Sequence, residues 1–84
     1  AGLRAACLGN PRAVWEAALC FTSERSRKGE QHARKWAYGV FRGIYPTSKL
    51  PFGWFDMQIK RSVDQNAYAL IEREIKRFRK RGAA

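Results

Sequence analysis

Four residues in the segment His32–Pro46 and just before it carry side chains that can contact a polyanion. Gln31, Lys35, Tyr38 and Arg42 recur at spacings of four, three and four, so on a helix they share one face, with Lys35 and Arg42 nearly eclipsed two turns apart. An amide, an ammonium, a phenol and a guanidinium are groups that meet phosphate, sugar and base edges or stack on an unpaired base. A solvated polar helix face has the same composition, so the pattern gains weight only from the rest of the chain.

The rest of the chain is strongly basic. Seventeen Lys and Arg stand against seven Asp and Glu, a formal net charge of +10 on 84 residues, which opposes compaction through self-repulsion and favours an anionic partner. Nucleic acid is the foremost expectation, as DNA or RNA; an acidic protein face is the alternative, and an anionic membrane surface a weaker third. Arg34, Lys60 and Arg61 add cations along the chain. The end adds five more in six residues, Lys76, Arg77, Arg79, Lys80 and Arg81, more than complementing a helix dipole requires.

Catalysis is not expected. His32 is the only histidine and has no nearby Cys or spaced carboxylate that would make it a base or ligand. No phosphate loop, zinc-protease or nucleophile-elbow motif is present, and the acidic residues are scattered singly. Cys7 and Cys20 are too few for a disulfide framework and lack zinc spacing, so both read as small buried residues in a reducing, cytoplasmic or nucleoid-associated setting. No metal or cofactor is implied. No apolar run reaches the ~20 residues that span a bilayer, and the opening "AGLRAACLGN" lacks a signal-peptide core. Without an initiator Met, the chain reads as part of a longer protein.

The elements that must position these residues can be read from periodicity. The length suits one domain: an all-α bundle of about three helices, with 1–9 as a leader or residual helix and 79–84 as a basic tail. The first helix begins near Pro11 with Asn10 as N-cap. It carries a broad apolar face over Ala13, Val14, Ala17, Ala18, Cys20 and Phe21, while Trp15 and Leu19 lie on the other side. Those two mark either the central helix of the module or a patch that docks onto a parent or partner protein. Gly29 ends the intervening turn, and the second helix starts near Glu30. Ala33, Trp36, Ala37, Val40, Phe41 and Ile44 form its core face, with Trp36 at the centre. Gly39 and Gly43 cost this helix propensity, so close approach of another helix is expected beside them.

"PTSKLPFGWFD" cannot continue that helix, and Leu50, Phe52, Trp54 and Phe55 are expected to pack over the open end of the pair. The third helix follows, either from Asp56 or from Ser62 with Gln65 completing a capping box. Its core face holds Ile59, Val63, Ala67, Leu70, Ile71 and Phe78, and Glu72 and Lys76 form an i,i+4 pair.

"KWAYGVFRGIYP", a Pro/Trp loop and "IKRSVDQNAYALIEREIKRFRKR" together resemble the short helical module at the C-terminus of phage and bacterial superfamily 2 DEAD/DEAH-type helicases. Trp36-Ala37, Phe41-Arg42, Pro51, Trp54 and the stretch from Ile59 to Arg81 match, over roughly the last fifty residues. Lys35 stands where that module usually has Gly, and the loop is longer around Thr47 to Leu50. The resemblance implies an accessory nucleic-acid-binding role beside an ATP-driven motor located outside this chain.

Overall fold

The computed structural model describes residues 8–83, with side chains through Arg77. Three helices are present among them: α1 (Pro11–Arg25), α2 (Glu30–Ile44) and α3 (Gln65–Ala83), and no strand accompanies them. The all-α bundle expected from periodicity is what the chain forms.

Helix α1 starts where expected because Asn10 accepts the Ala13 amide (3.3 Å) and Pro11 occupies the first turn, where its missing donor costs nothing. Val14, Trp15, Ala17, Ala18, Leu19, Cys20, Phe21 and Thr22 are all buried. A helix apolar nearly all round must be covered nearly all round. α2 and α3 both pack on it, touching each other less than either touches α1. Trp15 and Leu19 are therefore core residues of a central helix. The alternative, a patch docking onto a parent or partner protein, is ruled out by their burial.

Gly29 sits at φ 98°, a left-handed conformation that favours glycine, and lets the chain reverse from α1 into α2 within a few residues. Ala33, Ala37, Phe41 and Ile44 are buried on α2. Trp36 is not at the centre of that face. It lies about 90° round the helix from the core axis and is only half-buried, its ring meeting Phe21 edge-on at 6.3 Å. Among the described residues no helix approaches Gly39 or Gly43 either: both are exposed, and a Cβ at either would meet none of those residues within 4 Å. Helix α1 instead faces the alanines at 33 and 37, which admit its larger side chains.

The segment between α2 and α3 covers the second side of α1. Trp15 donates its indole N–H to the Trp54 carbonyl (2.7 Å), stacks on Phe55 (6.5 Å) and meets Phe41 edge-on (5.7 Å). Leu50, Trp54, Phe55, Met57, Ile59 and Val63 all pack against the core, which accounts for most of the expected lid. Phe52 departs from it and stands fully exposed.

Helix α3 begins later than either expected start. Asp64 caps it, its Oδ1 accepting the amides of Asn66 (2.8 Å) and Ala67 (3.0 Å). Ahead of that cap the chain is irregular, and the Met57 carbonyl, which a helix from Asp56 would pair with the Arg61 amide, accepts instead from Arg34 (2.9 Å). Ile59 and Val63 thus reach the core from irregular chain. Ala67, Leu70, Ile71 and Ile75 form the buried face of α3, and Ile75, one turn beyond Ile71, is a core residue that the sequence reading left out. The Phe78 side chain lies outside the described residues.

Trp15→Ala removes the indole that both the core and the covering segment pack on, and should cost ~3–5 kcal/mol, enough to abolish a cooperative urea transition in a domain this small. Trp36→Ala should cost about half as much and leave a measurable, earlier transition. Equal losses at the two positions would contradict the assignment of Trp15 as the central residue.

Candidate nucleic-acid interface

Burying the alanine-rich face of α2 forces the opposite face outward, so Gln31, Lys35, Tyr38 and Arg42 are all exposed. The Arg42 guanidinium lies over the Tyr38 ring at 6.0 Å, and Tyr38 is 38% exposed. A phenol backed by a cation can donate a hydrogen bond or offer a π-face, and the neighbouring charge attracts anions to it. Neither Lys35 nor Arg42 has a carboxylate within ion-pair distance among the described residues. The exposed Gly39 and Gly43 flank this face and present bare backbone beside it.

Carboxylates are committed elsewhere. Glu16 pairs with both Lys60 (2.9 Å) and Arg12 (3.6 Å), Glu30 with Arg34 (3.4 Å), Glu72 with Lys76 (3.9 Å) and Glu74 with Arg77 (3.6 Å). Lys60, Lys76 and Arg77 are therefore partly neutralised, although exposed pairs of this kind hold together by ~1 kcal/mol or less and can exchange partners. Arg61 is exposed and has no such pair among the described residues. Arg79, Lys80 and Arg81 belong to the last turns of α3, and their side chains lie outside the described residues.

Arg34 does not belong with the exposed cations. It is 7% exposed, and its Nη1 donates to the carbonyls of Phe55 (2.6 Å) and Met57 (2.9 Å). On the helix it sits between the core face and the Lys35 face, so the chain covering α1 claims it. Sequence spacing places Arg34 beside Lys35 but carries no signal that a distant backbone will take its guanidinium.

A cleft of about 580 Å³ lies between Cys20, Ser23, Glu24, Glu30, Ile59, Lys60 and Arg61. Its charges are mixed and its one thiol is passive. Burial, with the Glu24 carboxylate 3.2 Å from Sγ, pushes Cys20 up to about 11, so the thiolate needed for nucleophilic or metal chemistry is scarce near neutrality. Cys7 lies outside the described residues. His32 is exposed, with Nδ1 3.2 Å from the Ser26 hydroxyl, and no group of metal-ligating side chains gathers among the described residues. No helix among them is long and apolar enough to cross a membrane.

Comparison with known protein families, with characterised proteins and with solved structures finds no match to this chain.

Arg34→Ala removes charged hydrogen bonds to two backbone carbonyls and should lower stability by ~2–3 kcal/mol in urea titrations. Lys35→Gln, one residue on, should change it by less than ~0.5 kcal/mol. A small effect at Arg34 would return it to the surface.

Because the Cys20 thiol ionises at about 11 when folded but near 9.0 when unfolded, the unfolded chain loses its proton first as pH rises. Stability supplied by this group is full below pH 9 and falls towards pH 11. Cys20→Ala should flatten the pH dependence of the melting temperature across that window.

Proposed function

We propose that this domain binds nucleic acid, mainly through backbone phosphates and without strong sequence preference, using the outward face of α2. The observation that carries this reading is that Lys35 and Arg42, on either side of Tyr38, have no carboxylate partner among the described residues, on a chain whose net charge is +10. Cations without a local carboxylate exchange only water and counterions for phosphate, whereas a paired cation must first give up its partner. Lys60, Arg61, Lys76 and Arg77 extend the positive field, and Arg79, Lys80 and Arg81 would add to it from the end of α3.

The resemblance of the Trp36–Arg81 stretch to a helicase C-terminal module supports placing the domain beside an ATP-driven motor in a longer helicase-like protein, in the cytoplasm or nucleoid. It would tether the motor to its track and take no part in hydrolysis. A basic module docking on an acidic protein is the weaker reading. Its apolar anchor was Trp15 and Leu19, and both are buried.

Replacing Lys35 and Arg42 together with Gln should weaken oligonucleotide binding and leave the melting temperature unchanged. Two lost phosphate contacts should flatten the plot of log K against log salt by roughly 1.4 to 1.8 units, the lower value on single strands. An unchanged slope in a salt titration followed by fluorescence anisotropy would show that this face is only solvated.

A further inference from the structure

Phe52 is the one large apolar side chain of the covering segment that does not turn inward. Single exposed apolar residues are common, so exposure alone argues nothing. What distinguishes Phe52 is how firmly the chain around it is held. The Trp54 amide donates to the Pro51 carbonyl (3.2 Å) and Gly53 lies at φ 88°, so Pro51–Trp54 is a tight turn with Phe52 in its first central position and a left-handed glycine in its second. Beyond the turn, the Trp54 carbonyl is taken by Trp15 and the Phe55 and Met57 carbonyls by Arg34, two buried side chains of different helices. The ring is thus held out from the surface on backbone fastened to the core.

The charged residues on this part of the chain are cations in excess, Arg12, Lys49 and Lys60 against Glu16 and the exposed Asp56. Arg12 lies 5.8 Å from the centre of the Trp54 ring and shares the single carboxylate of Glu16 with Lys60, leaving two cations against one anion. Lys49, three residues before Phe52, is exposed and has no carboxylate partner among the described residues. Arg34, which fastens the segment to α2, is one helical turn before Tyr38, so the segment is joined to α2 one turn from that ring.

We propose that Phe52 is a stacking finger for an unpaired nucleobase, held beside cations that take the flanking phosphates. The proposal rests on the nucleic-acid reading above and narrows it to single-stranded segments. A phenyl ring has no hydrogen-bonding group, so it accepts any base with a free π-face and selects no sequence. Within a duplex those faces are covered by neighbouring bases, and exposing one costs a few kcal/mol per step. Insertion into a lipid surface needs a broader apolar face than one ring on a Pro/Gly turn provides.

The test compares the full chain with Phe52→Ala on three probes of equal phosphate count: a single-stranded oligonucleotide, the same strand with abasic sites, and a duplex. The wild-type chain should prefer the base-bearing single strand. Phe52→Ala should weaken that complex by roughly five- to 150-fold, leave the abasic strand and the duplex unchanged, and melt at the wild-type temperature. Equal binding of that strand by wild type and variant, or equal losses on base-bearing and abasic strands, would overturn stacking while leaving the phosphate reading intact. Failure of the wild-type chain to bind any probe at low salt would overturn both. A variant that loses affinity for phosphatidylserine vesicles but not for oligonucleotides would overturn the proposal and assign the finger to lipid.

Discussion

The fold depends on how the irregular chain between α2 and α3 is fastened over the second side of α1. Three of its backbone carbonyls, at Trp54, Phe55 and Met57, are captured by Trp15 and Arg34. Irregular backbone cannot satisfy its own polar groups as a helix does, so it can lie on a core only where side chains supply the missing donors. An indole N–H and a guanidinium do so from residues that are themselves buried. No buried side-chain nitrogen or oxygen among the described residues is left without a partner.

This fastening sets several other features. It lets α1 be apolar nearly all round, because α2 and α3 cover only part of it. It holds the chain irregular through Met57, and the third helix begins at Gln65, where Asp64 provides the cap. It also removes Arg34 from the charged surface, so the basic face of α2 is narrower than its composition implies. Lys35, Tyr38 and Arg42 face outward because Ala33, Ala37, Phe41 and Ile44 face inward, and no carboxylate of the described chain reaches their cations.

The repulsion carried by a net charge of +10 is tolerated partly because so few acidic groups are left idle. Glu16 bridges two cations, and Glu72 and Glu74 pair within their own helix. The positive potential that remains is concentrated where pairing fails, which is the geometry an extended polyanion can exploit. Phe52 lies on a tight turn and is the large apolar side chain that the covering segment leaves to solvent.

The sequence by itself determined what depends on local backbone chemistry and on helical period. Asn10-Pro11 set the start of α1, Gly29 the reversal into α2, and the spacing of apolar residues part of each buried face, among them Val14, Ala17 and Ala18 on α1, Ala33, Ala37, Phe41 and Ile44 on α2 and Ala67, Leu70 and Ile71 on α3; the outward direction of Lys35, Tyr38 and Arg42 followed from the same period. Only the tertiary structure decided what covers the second side of α1, and with it the fate of Trp15, Leu19, Arg34, Trp36 and Phe52. The outcomes for Trp15 and Arg34 rest on contacts between residues 21 to 39 positions apart, made to carbonyls that every residue type carries alike. A side-chain pattern has no mark for which backbone oxygen will be left without a donor. That is why a buried arginine and a solvent-facing one, adjacent in composition and period, separate only when the chain closes on itself.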